Sequence, residues 1–153
     1  MANTYSQIYI QIVFAVKGRQ NFIKEPFRDE LQKYMTGIIT KKKQKLYAIY
    51  CMPDHTHIFV SIKPDISVSD LVRDVKANSS SFIKEKKFTN SLFSWQEGFG
   101  AFSYSKSQAS TVVKYILNQP VHHSKKTFKE EYLDFLNKFA IEFDQKYLFE
   151  FYD

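Results

Sequence analysis

The chain has 153 residues, 44% hydrophobic and 25% charged, with only four Gly and four Pro; one domain with its own core fits, and a disordered or collagen-like chain is excluded. The net charge is +6, divided between an acidic end (residues 130–153, two Lys against seven Asp or Glu) and a basic remainder, and a basic body suits a polyanionic partner such as nucleic acid. One cysteine excludes an internal disulfide, no apolar run is long enough to span a bilayer, and the N-terminus lacks the pattern of a signal peptide, so the expected location is cytoplasmic, with no membrane partner.

Residues 5–16, YSQIYIQIVFAV, alternate as a strand does: Ile8, Ile10, Ile12, Phe14 and Val16 share one face, and Tyr9, Gln11 and Val13 share the other. Pro26 can open a helix, in which Phe27, Leu31, Tyr34, Met35 and Ile38 recur at helical spacing. Lys41, Lys42, Lys43 and Lys45 close it with positive charge, which complements its dipole. Leu46 to Cys51 reads as a second strand, Met52-Pro53-Asp54 as a turn, and His55 to about Ile62 as a third strand. Ser67 or Ser69 can cap a second helix with the stripe Leu71, Val72, Val75, Ser79, Phe82 and Ile83. Ala101 to Tyr104 is a short fourth strand, and a third helix starts at Ser105 or Ser107 and runs until Pro120. Thr127 and Glu130 have capping-box spacing and begin a fourth helix with the stripe Phe128, Tyr132, Phe135, Leu136 and Phe139. The aromatic end, YLFEFYD, can pack back on the body or on a partner chain.

The order is β-α-β-β-α-β followed by two helices. It predicts an α+β, ferredoxin-like (split βαβ, RRM-like) fold: a four-stranded antiparallel sheet with two helices on one face, plus C-terminal helices. The expected organisation is one domain over 1–153, with a core of about 5–123 and a helical, acidic tail of about 124–153.

The first candidate chemistry is MPDHTHIFV. His55 and His57 are two apart on a strand, so they share a face with Cα atoms about 7 Å apart. They can converge on one metal ion or simply sit side by side on a polar face. A metal would need a further ligand; Cys51 and Asp54 are near in sequence, although Asp54 can equally cap the turn. The second candidate is YILNQ, in which Tyr115 and Gln119 are four apart and share a helical face. Trp95, among Phe99, Phe102 and Tyr104, can stack an unpaired base or belong to the core. His122 and His123 read as a solvated helix end, with phosphate or metal binding as the other use. The lysine clusters at 41–45, 84–87 and 125–126 can hold phosphates or be wet surface. Lys41, Lys42, Lys43, Lys45, Trp95 and Lys106 are the candidate nucleic-acid contacts.

MPDHTHIFV, WQEGFGAFSYSKSQ and YILNQPVHH, in this order and spacing, resemble the HUH single-tyrosine transposases of the smallest bacterial insertion sequences. The resemblance covers roughly Tyr5 to His123 and extends in part to the tail. It implies that His55 and His57 are the metal-binding pair, Tyr115 the nucleophile and Gln119 the third ligand. It also implies a divalent metal, Mg²⁺ or Mn²⁺, and single-stranded DNA with hairpin ends as substrate. Cleavage would pass through a 5′-phosphotyrosine, in a homodimer in which one subunit's tyrosine helix can complete the other's histidine site. Thr56 stands where the family has a bulky apolar residue, and should point to the opposite sheet face. The alternatives are a non-catalytic single-strand-binding module and a domesticated relative that cuts genomic hairpin repeats.

Overall fold

The computed structural model describes residues 3–152. Its main elements are β1 (Tyr9–Ala15), α1 (Glu25–Lys41), β2 (Lys45–Cys51), β3 (His55–Ser61), α2 (Val68–Lys86), β4 (Gly100–Tyr104), α3 (Ala109–Leu117), α4 (Gln119–His123) and α5 (Phe128–Lys138). The strands pair antiparallel in the order β2-β3-β1-β4, which is the expected ferredoxin-like sheet. Among the described residues, no helix is long and apolar enough to cross a membrane.

The local chemistry explains most boundaries. Pro26 lies in the first turn of α1, where its missing N–H costs nothing. The α1 stripe is Phe27, Leu31, Met35 and Ile39 rather than one ending at Ile38; Tyr34 is partly exposed and stacks on Phe82 of α2, centroids 4.1 Å apart. The Ser67 side chain caps α2 by accepting from the Asp70 N–H. Thr127 and Glu130 form the expected reciprocal box at the start of α5.

One helix differs from the sequence reading. The segment after β4 opens with a 3-10 turn at Lys106–Gln108, boxed by Ser105 and Gln108. α3 then ends at Leu117, and Asn118 breaks it before Pro120 is reached. Pro120 sits inside the first turn of α4 and starts a helix instead of stopping one. Tyr115 and Gln119 therefore stand on two successive helices.

The sheet is covered on both faces. Val13 pairs with His57 and Ala15 with His55, so both histidines lie on the face that carries Tyr9, Gln11 and Phe59. Thr56 pairs with Phe14 and points the other way, as its place in the strand requires. α1 and α2 cover the Thr56 face: the Cys51 thiol is 3.9 Å from Met35 Sδ, and Phe14 meets Trp95, whose Nε1 donates to Ser79 Oγ at 3.0 Å. α3 covers the other face, packing Val112 and Ile116 against Tyr9, Ala48 and Phe59. α5 lies beside it, stacking Phe135 on Phe102 at 4.9 Å.

The turn before His55 is pinned by Val16 N–H to the Asp54 carbonyl at 2.9 Å and Ile23 N–H to the Pro53 carbonyl at 2.8 Å. The aromatic end packs back on the body. Phe149 is buried, and the Gln96 side chain accepts from the Glu150 N–H at 2.7 Å and donates to its carbonyl at 2.9 Å. Asp153, the last residue of that end, lies outside the described residues.

Candidate active site

Strand alternation places the two imidazoles of β3 side by side, ring centroids 5.1 Å apart, and both are almost fully buried. Each is held from outside through Nδ1. His55 Nδ1 is 2.7 Å from Asp54 Oδ1, and His57 Nδ1 is 2.9 Å from Gln11 Nε2, whose amide oxygen accepts from Tyr104 at 3.0 Å. The inner nitrogens converge on one carboxylate, Glu131 of α5. Glu131 Oε1 is 3.0 Å from His57 Nε2, 3.5 Å from His55 Nε2 and 3.2 Å from His123 Nε2.

The other carboxylate oxygen faces the tyrosine. Glu131 Oε2 accepts from the Tyr115 hydroxyl in a short hydrogen bond, and from Gln119 Nε2 at 3.0 Å. Gln119 Oε1 lies 3.3 Å from His55 Nε2, and the Tyr115 hydroxyl lies 3.1 Å from His122 Nε2. A single chain thus brings Tyr115, Gln119, His55 and His57 together, with Tyr115 beside its own histidines. Among the described residues, ligand atoms of His55, His57, His123 and Glu131 all lie within 4.8 Å of one another.

Burial and charge set the protonation states. Burial would lift the Glu131 carboxyl, but the charge of His57 and hydrogen bonds from His123, His55 and His57 outweigh it and keep the group ionised. Burial works against the imidazolium of His55, yet Asp54 and Glu131 push it up to about 9. Burial dominates at His57 and holds it below its ordinary value. Burial and the adjacent Glu131 charge raise the Tyr115 phenol.

Residues 4–119 match the family described as Transposase IS200 like. The chain belongs to the IS200-like transposases. It is 23% identical over 120 residues to the ISDra2 transposase TnpA of Deinococcus radiodurans, covering 74% of this chain and 84% of that protein. A crystal structure from Deinococcus radiodurans R1, assigned as a transposase, superposes with a TM-score of 0.60 at 20% identity, over 76% of this chain and 94% of that one. A REP-associated tyrosine transposase bound to a REP hairpin superposes with a TM-score of 0.61 at 16% identity, over 79% of this chain and 72% of that one. These two likenesses establish the shared fold. Family membership makes the chain a transposase acting on DNA.

The remaining residues singled out from the sequence of this IS200-like transposase divide sharply. Trp95 is a core residue, 8% exposed, wedged edge-on against Phe14 and Phe93, so it offers no face to a base. Lys45 pairs with Ser61, at the end of β3 remote from His55, about 20 Å along the strand. The Lys41, Lys42, Lys43 and Lys45 group therefore does not join the site; Lys42 is paired with Asp74, and Lys45 lies over the Tyr47 ring. Lys106 is exposed in the turn that leads into α3. Cys51 is buried on the opposite face, with burial raising its thiol to about 12, and is no ligand. Asp54 orients His55.

One residue of the site was given a different first use from the sequence, and another was missed. His123 is not a solvated helix end: its side chain is 10% exposed and turned inward, with Nδ1 at 2.8 Å from the Lys126 carbonyl. Glu131 had one available signal, a charge on the apolar side of an amphipathic helix next to Tyr132 and Phe135. Beside Tyr115 runs a groove of about 360 Å³ lined by Gln11, Tyr104, Thr111, Phe135, Lys126 and Lys138, among others. Lys126 is paired there with Asp134.

Proposed function

We propose that this IS200-like transposase cleaves and rejoins single-stranded DNA at insertion-sequence ends through a 5′-phosphotyrosine on Tyr115. The observation that carries this reading is the placement of the Tyr115 hydroxyl on the same carboxylate that gathers His55, His57 and Gln119. The donor set fits a divalent metal, Mg²⁺ or Mn²⁺: two imidazoles are anchored through Nδ1 with Nε2 turned toward a shared centre, and the Gln119 oxygen is adjacent. His55, His57 and Gln119 would hold the ion, which supplies Lewis-acid stabilisation of the charge that develops on the phosphate.

The chain's own groups do the rest. Tyr115 Oη attacks the scissile phosphorus; a phosphorus–oxygen bond forms to the tyrosine as the bond to the 3′ oxygen breaks. The phenolic proton has two acceptors within hydrogen-bond reach, Glu131 and His122, and the departing 3′ oxygen takes up a proton as a hydroxyl. Because the phosphoester energy stays in the tyrosyl bond, another 3′-hydroxyl can reverse the step and join strands without ATP. The groove beside Tyr115, lined by Lys138, Tyr104 and Phe135, gives the strand a charged and aromatic path. Hairpin-ended single-stranded DNA is the substrate class, and a homodimer is the proposed assembly; within one chain Tyr115 already meets its own histidines, which supports cis chemistry.

The test is a denaturing gel of the protein with labelled single-stranded DNA carrying a terminal hairpin, with Mg²⁺, Mn²⁺ or chelator. A covalent protein–DNA band that needs metal and is absent from Tyr115→Phe is expected. A band that persists in Tyr115→Phe would assign the nucleophile elsewhere, and binding without any band would favour the non-catalytic module.

A further inference from the structure

Three imidazoles, not two, aim Nε2 at one carboxylate oxygen. His55, His57 and His123 lie 3.5, 3.0 and 3.2 Å from Glu131 Oε1, and each is fixed behind by a different group: Asp54, Gln11 and the Lys126 carbonyl. An outside partner on one ring nitrogen and a shared centre for the other is how protein-bound metals orient histidines. The Gln11 amide suits this role. As placed it donates to His57 Nδ1 and accepts from Tyr104; turned end for end it would accept from His57 Nδ1–H and donate to the Tyr104 oxygen, which would free Nε2 as a lone-pair donor. Glu131 is 2% exposed, and its two oxygens have separate surroundings, Oε1 among the imidazoles and Oε2 against Tyr115 and Gln119. A buried carboxylate of this kind is costly unless cations compensate it.

We infer that Glu131 and His123 are ligands of the metal in this chain, so that the C-terminal helices complete the site begun by the histidine pair of β3. The inference rests on the proposed metal site at His55 and His57 and adds two ligands from beyond residue 119, where the family match ends. Glu131 Oε1 would face the ion while Oε2 stays on the Tyr115 hydroxyl, so one carboxylate links metal and nucleophile. In the competing account, Glu131 is merely the counter-ion of protonated histidines.

The two accounts give opposite signs for Mn²⁺ binding. The Mn²⁺ dissociation constant of the full chain is measured by calorimetry for wild type, Glu131→Gln and His57→Ala, with circular dichroism to confirm folding. If Glu131 is a ligand, Glu131→Gln weakens Mn²⁺ binding by about 10- to 100-fold. If it is only a counter-ion, the same change leaves the affinity unchanged or tightens it, because the imidazoles then lose their protons more easily, and the inference is overturned. His57→Ala separates this failure from failure of the underlying reading: a variant that binds Mn²⁺ as wild type does would remove the metal from the histidine pair altogether, and both ideas with it. A measurement on wild type alone avoids any folding defect. Pulsed electron paramagnetic resonance with Cu²⁺ as the probe should count three coordinated imidazoles; a count of two would exclude His123.

Discussion

The two faces of the sheet are built by the same strands, and they are used differently. On one face, Phe14, Ile12 and Ile58 meet α1 and α2 in an apolar layer, and the buried polar strand residues there are small or sulfur-bearing, Thr56 and Cys51. On the other, Gln11, His55 and His57 are just as buried, yet each has a polar partner and the partners join in a network through Glu131. Apolar burial stabilises a fold without directing it at anything. A buried polar network must be fully satisfied, and the groups that satisfy it are also those that can bind a cation and hold a phenol. The comparison shows where this protein keeps its stability and where it keeps its chemistry.

The largest expected effect is on the polar face. Tyr115→Phe should abolish the covalent DNA adduct on a denaturing gel while moving the thermal midpoint only slightly, since the ring keeps its packing against Phe135 and His57. The mirror experiment is on the apolar face, where Leu31 is fully buried: Leu31→Ala should cost about 2–5 kcal/mol in urea unfolding, with adduct yield per folded molecule unchanged. An equal loss of both in either variant would mean that the two faces are not separable. Asp54→Asn sharpens the division further. It removes the carboxylate behind His55 and should weaken Mn²⁺ binding by about 10- to 100-fold in calorimetry. The smallest effect is at Thr56, whose buried hydroxyl has only the weakly accepting Cys51 sulfur beside it. Thr56→Val should change unfolding free energy by no more than about 1 kcal/mol, toward greater stability, and leave adduct formation intact.

Much of the local structure could be read directly from the chain. Alternation in β1, the stripe of α2 and the capping box at Thr127 each depend on residues within a few positions of one another. The break at Asn118 was harder to see, because Pro120 is compatible both with ending one helix and with opening the next. Trp95 and the lysines at 41–45 illustrate a different limit. Composition says that aromatic and basic groups are present, but whether a ring faces solvent, or a lysine lies near the histidines, depends on which end of which strand it occupies.

By itself the sequence determined the element order, the shared face of His55 and His57, and the likeness in series of three segments that marks the family. The first two are consequences of backbone periods of two and 3.6 residues and survive any packing, whereas the third is a resemblance of motifs. Only the tertiary structure decided that Glu131, 74 positions beyond His57, would stand 3.0 Å from its ring nitrogen, and that His123 would turn inward to the same oxygen. No local pattern encodes such a meeting. It follows from α5 burying Phe128, Tyr132 and Phe135, which rotates the one charge on its apolar side into the polar pocket over β3.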